Sequence, residues 1–315
     1  MSMSLHDPVA APSAAKPAID PRLIASLAAV YVIWNSTYLG IRIAVHELPP
    51  FLMAAIRYCA AGVIMLGVAR RRGGAWPSPR QWLRTVPVGA LLFVGGNGFI
   101  AMGEQTVSSG GAAVVCATMP LWLGVLSVVT GERPSRREWF SLVLGFIGVV
   151  VLMGGPSLDG RPLHVVLILL APICWSLGSV LSRRRAAASE LAGAKLDTTM
   201  SSAMQMLTGG AALAVTGVFA GEAMPAYASA QAWLAVAYLA VFGSLIAFTA
   251  YNWLLRNARA TVATSYAYVN PILAVVFGAA VSGERLGVTT LVANLLIAGA
   301  VALALRRPRG PGARR

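Results

Sequence analysis

Met119-Pro120, followed after eleven residues by Gly131-Glu132-Arg133, and Asn270-Pro271, followed after twelve by Gly283-Glu284-Arg285, are one device written twice. Each Pro closes a run of small residues, Ala112–Thr118 in the first case and Ala263–Tyr268 in the second. Working outward, Trp34-Asn35-Ser36 with Gly40 answers Trp175-Ser176 with Gly178. The chain therefore reads as two copies of one unit, 22–157 and 158–305, and self-similarity at a long period is a primary architectural signal. Each copy holds five apolar runs: 23–41, 51–69, 85–103, 109–130 and 138–154, then 163–182, 199–220, 231–255, 260–282 and 286–305. Five is odd, so the second copy enters a membrane from the opposite side to the first. Inverted repeats of this kind occur in secondary transporters, whose substrate site lies near mid-membrane between the halves.

Composition agrees. Of the 315 residues 57% are hydrophobic and 11% charged, and the mean hydropathy is +0.71; soluble domains carry about 25% charged residues. Each run is long enough to cross the hydrocarbon as a helix. None alternates, so helices are expected rather than a barrel. The expected fold is all-α integral membrane: ten transmembrane helices as two inverted five-helix repeats around a central cavity. Residues 1–21 lack the apolar core of a signal peptide and read as a disordered cytoplasmic tail; 306–315 reads as a basic cytoplasmic tail. The net charge of +14 does not mark a nucleic-acid binder, because the basic residues lie between apolar runs. With the N-terminus inside and every run crossing, 21 of the 25 Lys and Arg fall in cytoplasmic segments; Arg42, Arg161 and Arg285 fall outside and Arg57 within a run. The positive-inside rule thus favours both termini in the cytoplasm. Cys59, Cys116 and Cys174 lie inside apolar runs and form neither a disulfide framework nor a metal pattern.

The blocks Trp34-Asn35-Ser36-Thr37, Gly96-Asn97-Gly98, the two Gly-Glu-Arg turns and Ala263-Thr264-Ser265-Tyr266-Ala267-Tyr268-Val269-Asn270-Pro271 resemble the EamA branch of the drug/metabolite transporter superfamily over residues 23–305. The resemblance implies a ten-helix, two-repeat fold in the inner membrane, a central cavity, and efflux of small metabolites, often amino acids.

Polar residues inside membrane spans are costly and point to function. The candidate substrate-binding residues are Trp34, Asn35 and Tyr38 in the first run, Asn97 in the third, Trp175 and Ser179 in the sixth, Gln205 in the seventh, Tyr251 in the eighth, and Tyr266 and Asn270 in the ninth. Aromatic walls with a few orienting amides suit a small zwitterionic or aromatic ligand. Plainer roles compete. Trp76, Trp82, Trp139 and Trp233 read as interfacial anchors, Asn97 as an interhelical bond, and Asn270 as a partner for backbone carbonyls near Pro271. Arg57 either holds a substrate carboxylate or bonds carbonyls of a neighbouring helix. Glu104, at the outer end of the third run, either couples protons or lines the mouth. Glu132 and Glu284 read as helix caps.

Enzyme signatures are missing: there is no H-E-x-x-H, no G-x-S-x-G and no paired carboxylates in a span. A receptor or scaffold leaves the repeat without a purpose. A nucleotide-sugar or phosphate-ester carrier would want several cavity cations. The reading is a transporter that meets a small molecule and the bilayer, needs no cofactor or metal, and favours a monomer over an obligate dimer, since two full halves enclose a cavity between them.

Overall fold

The computed structural model describes residues 20–107, 112, 115–129, 131, 134–152, 160–191, 197–270, 273 and 288–305. Both tails, Glu132, Arg133, Pro271 and the Gly283-Glu284-Arg285 turn lie outside the described residues, so the expectations placed on them are not met with structure here.

Helix starts follow from local chemistry. Pro21 opens α1 (Pro21–Val45), where the Asp20 carboxylate accepts from Arg22 N–H at 2.8 Å. Pro50 opens α2 (Pro50–Arg71). Ser78 and Gln81 form a reciprocal capping box at the start of α3 (Pro79–Gly103). Prolines suit a first turn because the missing N–H has no helical partner there, and Ser or Asp oxygens satisfy the N–H groups that remain. Then come α4 (Met119–Val129), α5 (Arg136–Leu152), α6 (Pro162–Leu191), α7 (Thr198–Phe219) capped by Asp197, α8 (Ala230–Asn257) capped by Ser229, the single turn α9 (Ala260–Ala263), and α10 (Val288–Leu305).

Among the described residues, six helices are long and apolar enough to cross a membrane: α1, α2, α3, α6, α7 and α8. Leu39, Val63, Leu83, Leu163 and Val218 each stand more than half exposed on their flanks. An apolar belt of that kind is a liability in water and ordinary against lipid. The architecture is all-helical and fits an integral membrane protein.

Helices pair across the halves. α2 runs along α7, α5 along α10, and α4 touches α9; α1 crosses α8 while α6 crosses α3. Close approach is allowed by glycines. A Cβ on Gly62 would meet the Leu207 side chain at 2.7 Å, and one on Gly210 would meet Cys59 Sγ at 2.6 Å.

Four helices are irregular at matching places. α3 widens into a π-helical stretch over Ala90–Gly98, and α8 does so over Leu239–Phe248. Before α4 the backbone turns at Ala117–Thr118, with Thr118 N–H bonded to Val115 O. After α9 it turns at Thr264–Ser265 before helix resumes over 266–270, with Ser265 N–H bonded to Val262 O. The ninth run is thus a broken helix rather than the continuous one its apolar pattern suggests. Irregular backbone at membrane depth is tolerated where it is buried or lines a cavity, and π turns gather at functional sites.

Candidate substrate cavity

The four irregularities converge on one cluster of aromatic rings. α1 presents Trp34, Thr37, Tyr38 and Ile41, spaced as one helical face, and all four line a cavity of about 50 Å³. Trp175 from α6, Asn97 from the α3 π stretch, Gly243 from the α8 π stretch, and Met119 and Tyr266 from just after the two turns complete most of its wall. Trp34 is the hub. Its ring centroid lies 4.7 Å from Tyr266, 5.1 Å from Tyr251 and 5.5 Å from Trp175, the Tyr266 and Trp175 contacts being edge-on. Such offset contacts are favourable beyond the area they bury.

The hydrogen bonds are paired between the halves. Trp34 lies on Gly243, donating Nε1–H to its carbonyl at 3.1 Å. Trp175 lies on Gly96, where a Cβ would come within 2.7 Å of the indole. Asn97 donates to Leu92 O at 3.4 Å and Ser244 to Leu239 O at 3.2 Å, each reaching five residues back to a carbonyl in its own π stretch. Leu92 packs against Gly178 of α6, and Leu239 against Gly40 of α1. Met119 and Tyr266 meet across the middle, the Tyr266 hydroxyl donating to Met119 Sδ at 2.9 Å.

Beneath the rings, Ser179 Oγ and Tyr251 OH share a 2.8 Å hydrogen bond, and Trp175 Nε1–H donates to the same phenol oxygen at 3.1 Å. Ser179 also borders a much wider vestibule of about 880 Å³, lined by Ser182, Gln205, Arg84, Arg183, Arg184, Arg185 and Arg256 among others. The Ser179–Tyr251 pair therefore separates vestibule from ring cluster.

The expected site residues sort as follows. Trp34, Tyr38, Asn97, Trp175, Tyr266 and Asn270 line the cavity, and Tyr251 packs on its rings. Ser179 and Gln205 face the vestibule. Gln205 is engaged on both amide atoms: Nε2 donates to Ser182 Oγ at 2.9 Å, and Oε1 accepts from Asn252 at 3.2 Å. Asn35 is half-buried and outside the cavity wall, because it sits one residue, about 100°, around α1 from Trp34. With its amide turned so that the nitrogen faces the two carbonyls, Asn270 donates to Tyr31 O (3.2 Å) and Tyr266 O (3.1 Å), so it ties the broken helix to α1 as well as bordering the cavity. Arg57 lies in the cavity wall, and its described hydrogen bond is to the Ser244 hydroxyl at 2.9 Å rather than to a carbonyl. Glu104 follows α3 and is buried with both carboxylate oxygens unpartnered. Met119, Thr37 and Gly243 were not expected in the wall. The signal for Gly243 was its pairing with Ser244, which repeats Gly96-Asn97.

The model of the EamA-like transporter family matches twice, over residues 22–154 and 162–306. This chain belongs to the EamA-like transporter family. It is 40% identical over 282 residues to the Escherichia coli protein named "Uncharacterized inner membrane transporter YedA", covering 89% of this chain and 90% of that one. It is 25% identical over 288 residues to "Uncharacterized transporter YoaV" of Bacillus subtilis, covering 88% and 94%. A solved crystal structure at 20% identity shares the fold, with a TM-score of 0.68 over 90% of this chain and 97% of its own.

Proposed function

We propose that this protein is a secondary transporter that moves small metabolites, such as amino acids or drug-like compounds, outward across the inner membrane by alternating access. The observation that carries the reading is the cavity itself. Two tryptophans from α1 and α6 each rest on a glycine in a π stretch of the opposite half, and the two broken helices meet between them. Discontinuous helices in corresponding positions of two halves are where transporters bind substrate. The double family match and the crosswise pairing of α1 with α8 and α6 with α3 support ten helices in two inverted repeats, divided near 157. At about 50 Å³ the cavity is far below the ~300–1,000 Å³ of small-molecule sites, so binding requires the rings to part. The vestibule gives the route: its Arg-rich rim belongs to the segments that the positive-inside rule assigns to the cytoplasm. A monomer suffices for this geometry, and the relative's inner-membrane name supports that location.

The test is flux in proteoliposomes against a panel of amino acids and small aromatic compounds, with and without a pH gradient. Trp34→Ala should retain folding, monitored by size-exclusion profile, and lose most of the flux. Undiminished flux in Trp34→Ala would place the substrate elsewhere.

A further inference from the structure

Arg57 is 3% exposed, inside α2 and far from either end of its helix. A buried guanidinium costs several kcal/mol unless paired and fully hydrogen-bonded. Its surroundings supply little of that. Nε donates to Ser244 Oγ at 2.9 Å, and the guanidinium carbon lies 4.6 Å from the centroid of the Tyr58 ring. No acidic side chain among the described residues forms an ion pair with it. Ser244 in turn donates to Leu239 O, so the hydroxyl that fixes Nε is itself fixed. Nη1 and Nη2 make no hydrogen bond with the described residues, and the guanidinium borders the aromatic cavity. Gly243 makes room for this pose: a Cβ there would come within 2.6 Å of Nη2. At the matching place across the α2–α7 pair stands Gln205, neutral and bonded on both amide atoms. The charge is therefore peculiar to one half and to the cavity side.

We infer that Arg57 is the anion-binding group of the cavity, so that the transported molecule carries a carboxylate on a small apolar or aromatic body. This rests on reading the ring cluster as the substrate site. The outer edge of a guanidinium presents two parallel N–H groups that match the two oxygens of a carboxylate. The carboxylate supplies a counter-charge that the described residues do not, while the body of the molecule replaces the Trp34–Trp175–Tyr266 ring contacts.

The experiment uses purified full-length protein in detergent and matched acid and amide probes, phenylacetate against phenylacetamide and 4-methylpentanoate against 4-methylpentanamide. Binding is read by the change in tryptophan emission, since Trp34 and Trp175 line the cavity. The acids should bind more tightly than their amides by roughly tenfold to a hundredfold, the span expected for charge-assisted bonds. Arg57→Gln should erase the acid–amide difference, and Arg57→Lys should restore part of it. The wild-type comparison keeps the test valid if Arg57→Gln fails to fold. Acids that bind no better than their amides, or do not bind at all, overturn the inference. If amides or phenethylamine bind and Trp34→Ala abolishes that binding, the substrate cavity stands and only the carboxylate assignment falls. If no probe binds and none of the panel is transported, both fall.

Discussion

Glu104 ends α3 with both carboxylate oxygens buried and without a hydrogen bond among the described residues. A buried charge there finds no hydrogen-bond donor among the described residues, and protonation removes the cost of burying it. Among the described residues, Tyr38 and Arg42 approach it from α1 and Cys116 from the segment before α4. Tyr38 is shared, since it also lines the cavity. Glu104 is thus one side chain away from the proposed substrate cavity. In proteoliposomes at a fixed substrate gradient, flux should respond to an imposed pH gradient in the wild type, and Glu104→Gln should lose that response while keeping downhill flux. A response that survives the substitution would mean that the proton moves elsewhere. The same residue scale shows why some site members were legible and others not. Trp34, Tyr38, Asn97, Trp175 and Tyr266 stand out as polar or aromatic groups inside apolar runs. Gly243 and Met119 look like any packing residue, since one contributes backbone and space and the other a sulfur. Asn35 is polar at the right depth but on the wrong face of its helix.

At the scale of elements, helix ends near the α1–α2 and α7–α8 loops are clasped across the halves. α2 begins after Pro49 with no side-chain cap of its own. Glu222, beyond α7, supplies it, accepting from Phe51 N–H at 3.0 Å and Leu52 N–H at 2.8 Å. Reciprocally, Glu47, between α1 and α2, accepts from both the hydroxyl and the amide of Ser229, the residue that caps α8. Those bonds, the hydroxyl first, hold the Glu47 carboxyl below its ordinary range. That clasp is therefore complete at neutral pH and weakens only as the pH falls through the lowered value. A carboxylate at a helix N-terminus is favoured by the orphan N–H groups and by the helix dipole. Glu222→Ala should cost about 1 kcal/mol, read as a lower midpoint of thermal unfolding in detergent with the helical circular dichroism unchanged. An unaltered midpoint would show the contact to be incidental. These clasps were not legible, because they join residues 170 or more apart in sequence. The apolar runs beginning at 23 and 51 fell within two residues of the starts of α1 and α2, whereas α3 begins at Pro79, six residues ahead of the run 85–103, because its first turns are polar. The π stretches were not legible, since a π turn leaves the apolar pattern of its run almost unchanged and announces itself only through a Gly followed by a side chain able to bond five residues back.

At the scale of the molecule, the proposed two-copy reading came from short motifs, and like contacts recur in pairs in the structure: Trp34 on Gly243 and Trp175 on Gly96, Asn97 to Leu92 and Ser244 to Leu239. Where the copies differ is informative. In the correspondence Arg57 matches Gln205 and Glu104 matches Tyr251, so the two charged groups are answered by neutral ones that already have partners, Gln205 in Ser182 and Asn252, Tyr251 in Ser179 and Trp175. In the proposed alternating-access cycle, the Ser179–Tyr251 pair is the point that would part towards the 880 Å³ vestibule, and the side holding Tyr38 and Glu104 the point that would part towards the opposite face. On the proposed topology, with both termini in the cytoplasm as the basic asymmetry of the loops suggests, a reporter active only outside the cytoplasm, fused at Arg309, should be silent; activity there would overturn it. The most direct test of the central claim, that one cavity is reached in turn from both sides, is thiol accessibility at Thr37, in the cavity wall. With Cys59, Cys116 and Cys174 replaced and Thr37→Cys introduced, a membrane-impermeant thiol reagent is applied to one face of proteoliposomes at a time. The account predicts modification from either face, slowed in both cases by a transported substrate; modification from one face alone, or from neither, or at a rate indifferent to substrate, would contradict it.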